Sequence, residues 1–171
     1  SMSILSIILD EFGFFGYIAG VVAEKCKGNQ KVLFLSFYLC ISILTVFTSN
    51  DIIILTFTPF ICSLCKRLKI SPLPYLFGEF IAANTLSMML IIGNPTNIYL
   101  ASFYGVTFFE YLKVMAIPTI VACVVALLLL MLVFRKDLNK EITVTEIEKD
   151  KLNHKFSVIV AVSHLLVCII L

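Results

Sequence analysis

Charge is scarce in this sequence. Asp, Glu, Lys and Arg make up 14% of its 171 residues, against 60% hydrophobic, where soluble domains run near roughly 25% charged and about 45–50% apolar. With a mean hydropathy of +1.05, a soluble globular domain is excluded. Apolar runs of near-spanning length recur, so a single secretory signal ahead of a soluble domain is excluded too. Tryptophan is absent, and the two histidines, His154 and His164, lack an evident nucleophile. Neither a His-Glu-x-x-His zinc motif nor a Gly-x-Ser-x-Gly elbow occurs, which argues against an intramembrane enzyme. Six cysteines form no framework, and Cys26, Cys62 and Cys65 adjoin loops assigned to the reducing side, so disulfides are not expected. Cys62 and Cys65 have redox or metal spacing without a second pair or a histidine nearby; packing is the expectation, with a soft metalloid ligand as the alternative. No cofactor is expected, and no nucleic-acid partner is indicated.

What is present is built for a lipid bilayer, and the 13 Lys and Arg residues orient it. They fall in Lys25–Lys31, Lys66–Lys69, Lys113 and Arg135–Lys155. Short loops rich in Lys and Arg stay cytoplasmic, so three clusters are assigned inside and Lys113, near Glu110, is the exception. The chain is thus expected to be a multi-pass protein of the plasma membrane. Its clearest span is Val114–Phe134, which holds no charge and covers about 30 Å at ~1.5 Å per residue, the thickness of the hydrocarbon core. A mixed-charge cytoplasmic linker, 135–155, follows. The final apolar run, 156–171, is too short to cross and is read as a truncated transmembrane helix; the opening Ser1-Met2 looks like a cloning scar. Asp10 and Glu11 either face the bundle interior or begin a helix in an outer loop.

Residues 32–65 pose a topological problem, because basic clusters assigned to the cytoplasm lie on both sides. An even number of passes is required, yet Val32–Thr48 and Asp51–Cys65 would give helices of only roughly 26 Å and 22 Å. A re-entrant helical hairpin turning at Thr48-Ser49-Asn50-Asp51 resolves this. Irregular backbone at depth must then be sheltered by protein or face a watery cavity.

The next helix begins after Ser71-Pro72-Leu73-Pro74 and is expected to run through Ile92. It meets Gly93-Asn94-Pro95-Thr96-Asn97, in which Gly93 suits a left-handed helix end, Asn94 an N-cap and Pro95 a first helical residue. A broken transmembrane helix over about 73–109 follows from this, with Gly105 in the outer turn and the last full span at about 112–134.

Facing helix ends offer N–H groups to anions and carbonyls to cations. Ser49, Asn50, Asp51, Gly93, Asn94, Pro95, Thr96 and Asn97 are therefore the candidate ion and substrate site, and Na+ would take oxygens from Ser49, Asn50, Asn94 and Asn97. Asp51 would carry a proton or a cation, or would cap the second hairpin helix; a lone carboxylate at the bilayer centre costs at least about 2.5–3.5 kcal/mol. Asn84, Thr85 and Ser87 either mediate packing or line the site, and Thr48 is a further candidate lining residue. Glu79 is expected near the cytoplasmic interface, with a buried role as the alternative. His164, Met88 and Met89 read as packing residues, and Tyr99, Tyr104 and Tyr111 as an interface belt.

The stretches FTSNDIIILTFTPFI, FGEFIAANTLSMMLIIGNPTNIYLASFYG and FFEYLKVMAIPTIVACVVALLLLMLVFRKDL resemble consecutive elements of the ion transporter superfamily. The likeness is to its arsenical pump membrane protein and citrate transporter branch and covers about residues 10–134. It implies an all-α integral membrane fold of two inverted repeats, each with a re-entrant hairpin and a broken helix, moving like an elevator against a scaffold that often forms a homodimer. Only one repeat is present here, so the missing second repeat would be a partner of the site. The function expected is secondary active transport of a small anion, such as arsenite or a carboxylate, coupled to H+ or Na+. A Na+/H+ antiporter without an anionic substrate and a non-transporting membrane scaffold are the rivals.

Overall fold

The structure, a computed structural model, describes residue 26 and residues 28–47 and 49–142. Asp10 and Glu11, Thr48, the linker beyond residue 142 and the 156–171 run with His164 lie outside the described residues. Within them the named elements are helical: α1 (Gln30–Phe47), α2 (Asn50–Arg67), α3 (Leu73–Leu86), a 3-10 turn (Ile91–Gly93), α4 (Pro95–Tyr104), α5 (Phe108–Val133) and α6 (Arg135–Leu138).

The shortest of the long helices organises the rest. Along α3 the buried residues are Pro74, Tyr75, Gly78, Glu79, Ala82, Ala83 and Leu86, a stripe at helical spacing. Phe77 and Phe80 on the other side are exposed. Lipid tails are as apolar as leucine, so helices in a bilayer associate through close packing of small residues more than through hydrophobic burial. Gly78 shows this directly: a Cβ added there would stand 2.8 Å from Phe34 Cε2 of α1. Helix α3 packs against α1, α2 and α5, whereas α1 and α2 touch each other less. Tyr38 on α1 is 1% exposed, and its hydroxyl donates to the Cys123 carbonyl of α5 at 2.9 Å.

Helix α5 has 26 residues, about 39 Å along its axis. Its apolar side chains point outward, Ile117 and Val133 each being 71% exposed. It begins with a capping box in which Thr107 Oγ1 accepts from Glu110 N and Glu110 Oε2 accepts from Thr107 N at 2.9 Å. These two reciprocal bonds satisfy donors that a helix start leaves orphaned. Before it, Gly105 ends α4 in the left-handed conformation (φ 63°).

One end of the bundle gathers the bases. The Tyr75 hydroxyl reaches Gln30 at 3.4 Å, joining the starts of α1 and α3, and Ile142 N donates to Gly28 O at 2.8 Å, joining the segment after α5 to the start of α1. Because a short turn links the end of α2 to α3, Lys31, Lys66, Arg67, Lys69, Arg135 and Lys136 collect at this one end.

Candidate functional site

The first interruption lies between α1 and α2. Ser49 occupies the N-cap position of α2, but its side chain makes no capping bond. Asp51 stands in the first turn and is exposed, so its carboxylate gains only the favourable end of the helix dipole. Asn50, its neighbour, points the other way: it is 6% exposed, and its Nδ2 donates to Asn84 Oδ1 of α3 at 3.1 Å. Asn50 Oδ1 is buried with no partner.

The second interruption departs from the sequence expectation. Helix α3 ends at Leu86 rather than near Ile92. Ser87 to Leu90 then make tight turns, with Met88 N bonded to Thr85 O and Met89 N to Leu86 O. Asn97, one turn into α4, supplies the reason: its Nδ2 donates to Ser87 O at 2.9 Å and to Leu90 O at 3.0 Å. A side chain from the following helix thus satisfies carbonyls that the broken ladder leaves open, a need that buried backbone cannot escape. The Tyr111 hydroxyl adds a bond to Met88 O at 3.2 Å, so this tyrosine serves the break.

Gly93 also needs a different explanation from the one expected. It is not left-handed, the left-handed glycines among the described residues being Gly28 and Gly105. Glycine is required instead by close approach, because a Cβ there would lie 2.3 Å from the Ser87 carbonyl oxygen. Asn94 does cap α4, its Oδ1 accepting from Thr96 N at 2.9 Å, and Pro95 starts the helix. Pro95 and Thr96 are exposed. Of the four residues considered for Na+, Asn50 alone presents a buried, unpartnered oxygen among the described residues; Asn94 spends an oxygen on its cap, and the Asn97 amide nitrogen is committed to carbonyls.

The two interruptions meet at the end of α3. Asn50 bonds Asn84, Ser87 Oγ donates to Asn84 O at 2.9 Å, and Asn97 bonds Ser87 O. Asn84, half-buried, also donates to Phe80 O at 2.7 Å. The hydrogen-bond path between residues 49–51 and 93–97 therefore runs through Asn84 and Ser87. Thr85 is half-buried beside it.

Glu79 is the residue that sequence reasoning undervalued. Placed at an interface by expectation, it is 2% exposed in the α2–α3 contact. Thr58 Oγ1 donates to its Oε2 at 3.1 Å, while Oε1 is buried without a partner. The available signal was its spacing, four residues after Tyr75 and among Gly78, Ala82 and Ala83, on the side of the helix away from Phe77 and Phe80. Cys62 is exposed and Cys65 buried, both as free thiols. No group of three or more His, Cys, Asp or Glu side chains able to hold a metal occurs among the described residues.

Comparison with known proteins bears on this geometry. A family model described as "Citrate transporter" matches residues 1–171. The chain is 35% identical over 138 residues to an "Arsenical pump membrane protein" of Escherichia coli strain K12, covering 79% of this chain and 32% of that protein. A protein of the same name from Yersinia enterocolitica is 33% identical over 138 residues, again 79% and 32% of the two chains. A "46 kDa membrane protein" of Mycobacterium leprae is 30% identical over 135 residues, with the same coverage. The chain spans a quarter to a third of the length of the curated relatives it matches. No solved structure matches.

Proposed function

Because the chain belongs to the citrate transporter family and is a membrane protein, we propose that it supplies one repeat of a secondary active transporter for an inorganic or organic anion, such as arsenite or a carboxylate, coupled to H+ or Na+. The observation that carries this reading is the junction at Asn84, where a buried amide from the first interruption meets the helix end that opens the second. From Leu73 to Asn84 is about 16 Å along α3, close to half of the ~30 Å hydrocarbon core if α3 starts at the interface. On that reading α1 and α2 form a re-entrant hairpin entered and left on the cytoplasmic side, where the bases gather. The N-termini of α2 and α4 aim their dipoles at the substrate, and Asn50 Oδ1 accepts from a substrate hydroxyl or takes the coupling cation. A second repeat completes the site, and an elevator-like movement exposes it alternately to the two sides of the membrane. Names among the relatives support a metalloid oxyanion, and the family description supports a carboxylate.

Exchange measured on the full-length carrier in proteoliposomes tests this. Vesicles preloaded with unlabelled citrate or arsenite should take up the labelled anion, and Asn50→Ala should slow that exchange about tenfold, equivalent to ~1.4 kcal/mol for one lost polar contact. Exchange of neither anion by the unaltered protein, or full exchange by the variant, would refute the reading.

A further inference from the structure

Between the basic end of the bundle and the Asn84 junction lies a carboxyl that the substrate site does not use. Glu79 stands on the buried stripe of α3, with one oxygen held by the Thr58 hydroxyl and the other buried and bare. Around it the polar supply is thin. Thr56 Oγ1, on α2, is likewise buried without a partner. Pro59 inside α2 has no N–H, so the carbonyl of Leu55 lacks its helical donor. A bare carboxyl oxygen buried in a helix contact is not what packing alone selects, since each unsatisfied buried group costs about 1–3 kcal/mol.

No cation balances the carboxyl among the described residues. Helix α2 brings Thr58 to it; its charged and titratable groups are Asp51 at its start, then Cys62, Cys65, Lys66 and Arg67, the bases lying about 12 Å or more beyond Thr58 along the axis. Helix α1 carries Lys31, Tyr38 and Cys40, and α5 carries Glu110, Tyr111, Lys113 and Cys123. On α3 itself Tyr75, one turn earlier, turns its hydroxyl to Gln30. The influences acting on Glu79 are burial and the Thr58 hydroxyl, with no charged neighbour.

We propose that Glu79, positioned by Thr58 in the α2–α3 contact, is the proton-binding residue through which the carrier uses a pH gradient. Loading forms an O–H bond on Oε1, with the proton taken from water on the acidic side. Unloading breaks that bond and returns the proton to water on the other side. Oε2 keeps its bond from Thr58 throughout. The loaded, neutral form can move through a low-dielectric surrounding that penalises a carboxylate. Sodium is the less fitting ligand, because the side-chain oxygens brought together here are those of one carboxyl and the Thr58 hydroxyl, too few to enclose the ion.

The proposal rests on the transport reading, so its test carries both. In proteoliposomes of the full-length carrier, exchange at equal pH is compared with accumulation driven by a pH step. A step of one unit supports about tenfold accumulation per proton. For the unaltered protein we expect exchange that varies with pH together with such accumulation. For Glu79→Gln we expect gradient-driven accumulation to be lost and any remaining exchange to be independent of pH. Accumulation retained by E79Q, or exchange with the original pH profile, overturns the assignment. Absence of exchange by the unaltered protein overturns the transport reading and the proposal with it. Should E79Q fail to fold, Thr58→Val decides: a displaced pH midpoint of exchange supports the proposal, and an unmoved one defeats it. Accumulation driven by a sodium gradient at constant pH, and not by a pH step, also defeats it.

Discussion

Asn97→Ala should open the break between α3 and α4. The asparagine amide is the donor for two backbone carbonyls, Ser87 O at 2.9 Å and Leu90 O at 3.0 Å, and both residues are buried, at 0% and 9% exposure. Leaving a buried acceptor unsatisfied costs about 1–3 kcal/mol, so the pair is worth roughly 2–6 kcal/mol, the lower figure applying if a water enters to bridge the two oxygens. Asn97→Asp should be worse than alanine despite its closer shape, because an ionised carboxylate has no donor and sets negative charge against two carbonyls. Thermal unfolding of the detergent-solubilised full-length protein reads the stability order. Limited proteolysis within residues 87–94 reads the local opening. An N97A protein as stable as the unaltered one, or an N97D protein more stable than N97A, would refute the account of Asn97 as the clasp of the break.

Gly93→Ala should destabilise by at least about 2 kcal/mol, since its Cβ would meet the Ser87 carbonyl oxygen at 2.3 Å with backbone on both sides of the clash; a melting curve indistinguishable from that of the unaltered protein would show that the approach is not so close. Tyr38→Phe removes the 2.9 Å bond to Cys123 O that ties α1 to α5 while keeping the ring beside Phe34. A loss of about 0.5–1.5 kcal/mol is expected, measured by the same unfolding assay.

Several elements of this fold can be read from neighbours in the chain, and several cannot. Asn94 and Pro95 announce the start of α4, Gly105 its end, and the prolines at 72 and 74 the start of α3, because capping chemistry is local. Thr107 and Glu110 carry the capping-box spacing in plain view. The end of α3 is different. Apart from Ser87, the stretch Ser87–Ile92 is apolar and holds no Gly or Pro, and what stops the helix there is accompanied by an amide ten residues later, which no local window contains. Gly93 is visible as a glycine, yet its reason lies in the approach of Ser87 rather than in its own torsion. At the start of α2 the charge of Asp51 draws attention, but the helix turns that side chain outward and its uncharged neighbour Asn50 inward. Hydropathy reads composition; it does not read which way a residue points.

The two polar contacts across the α2–α3 packing follow from the makeup of α3. With lipid supplying no hydrophobic drive between helices, a helix enclosed by three others must offer small side chains for approach and polar ones for adhesion. Gly78, Ala82 and Ala83 serve the first need, Glu79 and Asn84 the second. Helix α5, with apolar side chains such as Ile117 and Val133 turned outward, is a poor place for either. Because Asn50–Asn84 and Thr58–Glu79 both bridge the same two helices, a displacement of α2 along α3 strains them together. Under the two proposals above, a ligand competing for Asn50 at one end and a proton arriving on Glu79 farther along would act on one mechanical contact. Substrate and proton would then share a route of influence without the two sites touching.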